Sequence, residues 1–381
     1  MLLLARIGAG NLRDEAGAIS RCMDLGRRRD PMVSAYVASS EPFAGKTLTC
    51  LTLGTRWLRR GLRVGYMKPL GTPSAVVGGR ATDEDALFVA QELGSNASPA
   101  DLCPVVVSAE ICHAVPEDLR VRVKQAFTAL SADRDVMVVG GLGSVFSRGA
   151  SFGLSAAAIA DLLGSKVVLV SSVDSFVVVD NITAAYQLLG GRLVGVILNR
   201  VPMSVMPVIE GEALPCLKKL GVPVLGMLPE DPLLSSISVD EIAKATGGEF
   251  LVGPGTADGL VESFVVGAMG VDSALRYFRK VTRKCVITGG DRTDIQFAAL
   301  ETPTRCMILT GNLQPSHNVL ARAREMNVPV LLVRGDTLTA VETIERMLGK
   351  QRVREHAKID HALNLFEANL DLATLDVALG L

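Results

Sequence analysis

Residues 40–47 have the order of residue types that a phosphate-binding loop needs. The apolar run over 33–38 predicts a strand, and Gly45, Lys46 and Thr47 then open a segment with helical apolar spacing. Backbone N–H groups at a helix N-terminus attract an anion, Lys46 adds a positive charge, and the Thr47 hydroxyl can ligate Mg²⁺. Ser40 stands where such loops usually carry their first glycine, so we expect a variant loop path.

Three further polar groups lie next to predicted strands or helices. Lys68 follows a predicted strand over 62–67, and Asn199 follows another over 193–198. Asp83 begins an acidic group, 83–85, at the start of a predicted helix over 82–93, whose cap we expect to be Thr82. Each group also has a structural explanation: a lysine that reaches solvent, acids that favour the helix dipole, and a turn asparagine.

A second group of candidate residues lies in the later part of the chain. Gly289, Gly290, Asp291 and Arg292 follow a predicted strand over 281–288. Backbone N–H groups of a glycine turn, together with the Arg292 guanidinium, could bind an anion or a nucleotide. The alternative is a plain turn in which Arg292 pairs with Asp291 or Asp294.

The composition limits the class of protein. The chain has 381 residues, of which 49% are hydrophobic but only 4% aromatic, as in parallel strands covered by helices. The net charge of −1, without a long basic block, argues against nucleic acid as a partner. No apolar run reaches the ~18 residues of a membrane span, so we expect no membrane partner. The seven cysteines show no metal or disulfide spacing and indicate reduced thiols in the cytoplasm.

Strands alternate with helices from Met32 onward, which predicts an α/β fold with a doubly wound parallel sheet. Near residue 245 glycines cluster and a second alternation begins. We therefore expect an N-terminal extension, a nucleotide-binding domain, a smaller α/β domain and a C-terminal helical tail, with bounds 1–31, 32–245, 246–350 and 351–381. The apolar stripe of the tail would pack on its own domain or on a dimer mate.

Several segments, in this order, resemble a known family. Residues 39–47, 64–69, 195–201 and 222–229 resemble dethiobiotin synthetase and its amidotransferase relatives, especially the version at the N-terminus of long bacterial phosphate acetyltransferases. Residues 287–292 and 309–315 resemble the DRTGG domain that follows it there. The resemblance implies a P-loop, dethiobiotin synthetase-like domain followed by a DRTGG domain. Because the chain ends at Leu381, we expect a stand-alone copy of the acetyltransferase's non-catalytic half.

The resemblance also implies roles for single residues. Lys46 and Thr47 would hold the triphosphate of ATP and its Mg²⁺, and Lys68 would line a substrate and phosphate pocket as the candidate catalytic residue. Asp83 is the favoured metal ligand after Thr47, and Asn199 would bind the adenine edge. The expected cofactor-binding residues are Ser40, Glu41, Gly45, Lys46, Thr47, Asn199, Gly290, Asp291 and Arg292.

One position departs from the family pattern. The synthetases end the strand that corresponds to 136–139 in a glutamate that ligates Mg²⁺, and this chain has Gly140 there. Losing a hard oxygen ligand should impair metal-assisted phosphoryl transfer more than nucleotide binding. An active ligase would need another carboxylate, with Asp83 and Asp174 as candidates.

These observations lead to three expectations about function. The first is a cytoplasmic, ATP-binding regulatory protein, with possible Mg²⁺, a homodimer that could act on a metabolic enzyme partner. The second is an ATP- and Mg²⁺-dependent carboxylate-activating ligase of the dethiobiotin synthetase or cobyrinic acid diamide synthase type. The third is a scaffold without a working pocket.

Overall fold

The fold is taken from a computed structural model, which describes residues 32–173, 176–253, 259–348 and 356–381. The expected N-terminal extension, 1–31, lies outside the described residues, and so does Asp174. Strands and helices alternate through the described chain. The strands are β1 Val33–Ser39, β2 Val64–Met67, β3 Leu70–Gly71, β4 Ala75–Val77, β5 Arg80–Thr82, β6 Val105–Val106, β7 Val136–Gly140, β8 Lys166–Ser172, β9 Leu193–Val201, β10 Val224–Pro229, β11 Ile237–Ser238, β12 Glu249–Val252, β13 Leu260–Val261, β14 Ser263–Val266, β15 Lys284–Gly289, β16 Thr304–Thr310 and β17 Val330–Leu332.

The α-helices are numbered in the same way. Two short helical segments, a single α-helical turn at Met206–Val208 and a π-helix at Ile209–Ala213, come directly before the seventh helix and are not numbered. The helices are α1 Lys46–Arg59, α2 Glu84–Glu92, α3 Pro99–Leu102, α4 Pro116–Ser131, α5 Ala156–Leu163, α6 Val178–Leu189, α7 Leu214–Lys219, α8 Val239–Thr246, α9 Val271–Phe278, α10 Thr293–Leu300, α11 His317–Glu325, α12 Thr337–Leu348, α13 His356–Asn369 and α14 Leu372–Leu379.

The first sheet has six strands, all parallel, in the order β10-β9-β8-β1-β7-β2. Aliphatic side chains are buried on both of its faces, which is why the strands appear in the sequence as continuous apolar runs. The order changes direction at β1, so the loops after β1, β7 and β8 meet at one edge, where ligands bind in such sheets. The predicted doubly wound parallel sheet is confirmed.

The second sheet has five strands in the order β12-β17-β16-β15-β14. Four of them are parallel, and β12 runs antiparallel along the edge. Helices cover both faces, with a separate apolar core on each. The sequence analysis did not identify β14, whose four residues lie between a strand of two residues and a glycine-containing loop.

The last two helices return to the first sheet. The apolar side chains of α13 and α14 pack into the same core as β1, β10 and α1, and Leu370 forms an isolated antiparallel bridge with Gly226 of β10. The sequence analysis left open whether the apolar stripe of the tail packs on its own domain or on a dimer mate. In the structure the stripe packs on the first domain of its own chain. None of the helices in the described ranges is long and apolar enough to cross a membrane.

Candidate functional site

The loop between β1 and α1 presents a helix N-terminus at the ligand-binding edge of the first sheet. Gly45, which precedes the first turn of α1, has φ of 105°. A side chain there would be strained, and a Cβ would lie 2.4 Å from Asn199 Nδ2. The glycine therefore lets the loop approach the end of β9 closely.

Lys46 is the first residue of α1 and directly follows Gly45 of this loop. Its ammonium group donates to Ser39 Oγ at 2.6 Å and to the Gly143 carbonyl at 2.6 Å, which leaves one N–H available to a ligand. Burial and, to a smaller extent, the nearby positive charge of Lys68 lower the pKa of Lys46 to about 8, against weaker opposing charges that include Glu41. An anion in the cavity would favour the charged lysine.

Ser40 and Glu41 hold the loop rather than line the cavity. Glu41 accepts hydrogen bonds from the Ser40 hydroxyl and from the Ser172 backbone N–H. The Ser40 hydroxyl also lies 2.6 Å from Ser171 Oγ. The serine in the place of the usual first glycine thus ties the loop to the end of β8.

A cavity of about 460 Å³ opens over the loop, within the range of small-molecule sites. It brings together residues at or just after the ends of five strands, β1, β2, β7, β9 and β10. Its polar lining includes Lys46, Thr47, Lys68, Asp85, Ser147, Arg148, Asn199, Arg200, Asp231 and Ser235. The sequence analysis missed Arg148, Arg200 and Asp231. Arg200 and Asp231 could have been found because they follow strands, whereas the loop with Arg148 has no motif.

Lys68 and the acidic group share one ion-pair cluster. Lys68 Nζ lies 2.7 Å from Asp83 Oδ1 and 3.5 Å from Asp85 Oδ2. Asp83 is 1% exposed, caps α2 and also accepts from the Thr72 N–H at 2.7 Å. Burial opposes ionisation of Asp83, but the charge of Lys68 and the hydrogen bonds from Lys68, Thr72 N–H and Ala86 N–H together outweigh it and lower the pKa of Asp83. The expected cap Thr82 is therefore wrong, because Asp83 fills that role.

The two carboxylates differ in their access to the cavity. Asp83 is not among its lining residues, whereas Asp85 is. The carboxylate that lines the cavity is therefore Asp85, on the first turn of α2. The described residues contain no group of three His, Cys, Asp or Glu side chains that could hold a metal ion. Thr47 and Asp85, which both line the cavity, carry oxygen donors of the kind that Mg²⁺ prefers.

Gly140 precedes Gly141, which lines the cavity, and Tyr66 occupies the space beside Gly140. A Cβ built on Gly140 would lie 2.8 Å from the Tyr66 hydroxyl, so a side chain there requires Tyr66 to move. Burial raises the pKa of Tyr66 well above its usual value, so this hydroxyl is neutral. The position that departs from the family pattern is thus packed against an uncharged group.

Asn199 connects the end of β9 to the phosphate loop. Its amide donates to the Ala44 carbonyl at 2.8 Å, and its side-chain oxygen accepts from the Arg200 N–H at 3.0 Å. Asn199 also lines the cavity. Its contacts fit both expectations, a turn asparagine and a group that faces a ligand.

The glycine motif of the second domain packs against its own domain. A Cβ on Gly290 would lie 1.8 Å from the Leu313 carbonyl oxygen, and Gln296 donates to the Gly290 carbonyl at 3.0 Å. Arg292 donates to the Met269 carbonyl at 3.1 Å and pairs with Asp294 at 3.3 Å. The predicted Arg292–Asp294 pair is present. Gly290, Asp291 and Arg292 are not among the residues of the cavity in the first domain.

Comparison with known proteins agrees with this architecture. Residues 34–238, more than half of the chain, match the family described as AAA domain. The chain belongs to the AAA domain family. Residues 241–347 match the DRTGG domain. The resemblance to a dethiobiotin synthetase-like P-loop domain followed by a DRTGG domain is confirmed.

Named relatives cover different parts of the chain. The phosphate acetyltransferase of Pseudomonas putida is 24% identical over 369 residues, 92% of this chain and 52% of that protein. The phosphate acetyltransferase of Nitratidesulfovibrio vulgaris is 31% identical over 160 residues, which cover 39% of this chain and 22% of that protein. An ATP-dependent dethiobiotin synthetase of Methanococcus vannielii is 29% identical over 116 residues, 29% of this chain and 51% of its own. The chain spans about half the length of the Pseudomonas relative.

One solved structure among the matches also contains a DRTGG domain. The CBS and DRTGG domains of a Clostridium perfringens pyrophosphatase, in complex with the activator diadenosine tetraphosphate, are 25% identical and cover 37% of this chain and 70% of their own. The TM-score is 0.26, which is too low to support an inference about this chain.

Proposed function

We propose that this chain is a cytoplasmic ATP-binding regulatory protein, related to the N-terminal half of phosphate acetyltransferases. The observation that best supports the proposal is the position of Lys46 at the N-terminus of α1, on the wall of a cavity that Asn199 also lines. The helix N-terminus and the lysine suit the phosphates, and the amide suits the adenine edge. The dethiobiotin synthetase among its relatives is named as ATP-dependent.

We propose that Thr47 and Asp85 hold Mg²⁺ when ATP is bound, with the phosphates and water as the other ligands. The metal would draw charge from the transferred phosphoryl group. At Gly140 there is no carboxylate, and the Tyr66 hydroxyl fills the adjacent space. Because this carboxylate is missing, we infer that phosphoryl transfer is weak or absent. Weak transfer supports a regulatory role over an enzymatic one.

The test is a calorimetric titration of ATP with and without Mg²⁺, together with an assay of phosphate release. The variant is Lys46→Ala, and Lys219→Ala, an exposed lysine outside the cavity, is the matched control. Binding that only Lys46→Ala abolishes, with phosphate release near background, supports the proposal. No binding to the wild-type chain would leave a scaffold and would overturn it.

The alternative function is the carboxylate-activating ligase. The observation in its favour is that Lys68 and Asp85 line the same cavity as Lys46, so a phosphoryl acceptor could lie between them. Steady phosphate or ADP release that needs Mg²⁺ and is lost in both Lys46→Ala and Lys68→Ala would select this function. Lys68→Ala also leaves Asp83 unpaired, so its thermal stability must be measured first.

We further propose that the protein forms a homodimer and acts on a metabolic enzyme. The dimer is supported by the resemblance to the synthetases alone. Light scattering of the purified chain, with and without ATP, measures its mass directly. The cytoplasmic location is supported by the free thiols of the described cysteines, among them Cys50 and Cys216, which suit a reducing compartment.

A further inference from the structure

Arg148 lies beside the phosphate-loop lysine. It lines the same cavity from the loop between β7 and α5. A Cβ built on Gly143 would lie 2.7 Å from Arg148 Cγ, so the arginine side chain packs against Gly143. The carbonyl of Gly143 accepts the hydrogen bond from Lys46 Nζ at 2.6 Å. A single peptide unit thus links the arginine side chain to the ammonium of Lys46.

The backbone holds Arg148 in an unusual conformation. Its φ is 71°, a region that costs a non-glycine residue on the order of 1 kcal/mol or more. The loop on either side is fixed, because Val145 N donates to the Ser39 carbonyl at 2.8 Å and Leu154 N donates to the Gly149 carbonyl at 2.8 Å. The strain is therefore held by the surrounding structure, as is common at ligand-binding positions.

Two other charged groups of the cavity are already paired with neighbours, whereas Arg148 has no ion pair among the described residues. Lys68 is paired with Asp83, and the carboxylate of Asp231 lies 2.7 Å from His361 Nε2. Across the described ranges, no carboxylate or carbonyl forms a hydrogen bond or ion pair with the Arg148 side chain. Its N–H donors, in a planar fork that suits two phosphate oxygens, are available to an anionic ligand.

We propose that Arg148 binds the terminal phosphate of a nucleoside triphosphate whose inner phosphates lie at Gly45–Thr47. This inference rests on the proposed nucleotide site. The lysine of a phosphate loop reaches the β- and γ-phosphates, and the Arg148 side chain packs against the glycine whose carbonyl binds Lys46 Nζ, so its guanidinium can reach the terminal end. Arg148 therefore makes the site selective for a triphosphate over a diphosphate.

The experiment compares ATP and ADP affinities, with Mg²⁺ and at constant ionic strength, for wild type and Arg148→Gly. Glycine removes the guanidinium but accepts φ of 71°, so the loop keeps its path. Arg148→Lys keeps the charge without the fork, and Arg279→Ala, an exposed arginine of the second domain, is the matched control. We expect Arg148→Gly to weaken ATP binding about tenfold to a hundredfold, and ADP binding less than about threefold. Arg148→Lys should fall between wild type and Arg148→Gly.

The outcomes separate this inference from the proposed function. Suppose that the wild type binds ATP and that Arg148→Gly either binds ATP equally well or loses affinity for ATP and ADP to the same extent. Either result overturns the role of Arg148 but leaves the nucleotide site in place. If the wild type binds neither nucleotide, the proposed site itself fails and this inference fails with it. A similar loss in Arg279→Ala would show a general effect of charge and would also overturn the assignment.

Discussion

Asp376, five residues before the end of the chain, forms a two-pronged ion pair with Arg56 of the helix that follows the phosphate loop. Arg56 Nη1 lies 2.9 Å from Oδ1, and Nη2 lies 2.8 Å from Oδ2. Trp57 Nε1 also donates to Oδ1 at 2.9 Å, and Arg60 contacts Oδ2 at 2.6 Å. The C-terminal helices are therefore attached to the helix that follows the phosphate loop and lines the candidate site.

We expect Asp376→Ala to lower the free energy of unfolding of the first domain by about 3 kcal/mol, because it leaves the indole N–H and the Arg56 guanidinium without their partner. Trp57 is the only tryptophan, so its fluorescence during urea unfolding reports on this domain. The control is Asp360→Ala, which removes an exposed pair between Arg59 of α1 and Asp360 of α13 and should cost less than about 1 kcal/mol. Equal losses in the two variants would contradict the prediction.

The same carboxylate predicts how stability depends on pH. Burial opposes its ionisation, but the hydrogen bonds from Arg56 and Trp57 and the charges of Arg56 and Arg60 together outweigh this and lower the pKa of Asp376 in the folded state. Its contribution is therefore complete above the unfolded-state pKa of about 4 and is lost as the pH falls through the folded-state value. Urea unfolding between pH 7 and pH 3 should show a smaller loss on acidification in Asp376→Asn than in wild type. Parallel curves would refute this assignment.

Lys46 predicts a pH dependence of the opposite sign for binding. Its pKa of about 8 means that the free protein loses this charge as the pH rises through 8. Phosphate favours the charged form, so ATP affinity should fall above pH 8 and binding there should take up a proton. Titrations from pH 7 to pH 9.5, in buffers that differ in ionisation enthalpy, measure both effects. Lys46→Arg should lose most of this dependence, because arginine stays charged.

Gly290 predicts that the glycine motif of the second domain has a packing role. A Cβ there would lie 1.8 Å from a backbone oxygen of Leu313, so Gly290→Ala should destabilise the domain by about 3 kcal/mol. Gly270→Ala, where nothing lies within 4 Å of a new Cβ, should change stability by about 0.5 kcal/mol or less. Differential scanning calorimetry measures both. An unchanged thermal unfolding transition in Gly290→Ala would show that the loop can move to accommodate the new methyl group. It would then favour a ligand-binding explanation of the motif over a packing one.

Gly140 and Tyr66 predict an energetic coupling. Gly140→Ala should cost about 1–3 kcal/mol, because its Cβ would lie 2.8 Å from the Tyr66 hydroxyl. Tyr66→Phe removes that oxygen, so the double variant should recover part of the loss. Chemical unfolding of the four proteins in this cycle measures the coupling. Additive losses would show that the glycine is needed for another reason.

Much of the first domain could be predicted from local sequence. Strands buried on both faces must be aliphatic throughout, so Lys166–Ser172 and Val136–Gly140 were recognisable as strands of a parallel sheet. The order of Gly45, Lys46 and Thr47 after a strand likewise indicated the helix N-terminus that the structure contains. Periodicity and helix-start chemistry are local properties, which explains why the sequence alone was sufficient for these elements.

The tertiary structure decided which side chains share the cavity. Sequence alone could not tell Asp83 from Asp85, since only the path of the chain turns one towards Lys68 and the Thr72 N–H and the other towards the cavity. It also did not indicate Arg148, whose place beside Lys46 depends on the packing of two distant loops.

The sequence alone also could not predict which surface covers the apolar stripe of the C-terminal helices. An apolar face specifies that it must be covered, but not by which surface. The contact between Asp376 and Arg56, 320 residues apart, settles it in favour of the first domain. Local sequence thus determined the elements and the phosphate loop, whereas long-range packing determined the composition of the site, because contacts between distant residues leave no local pattern.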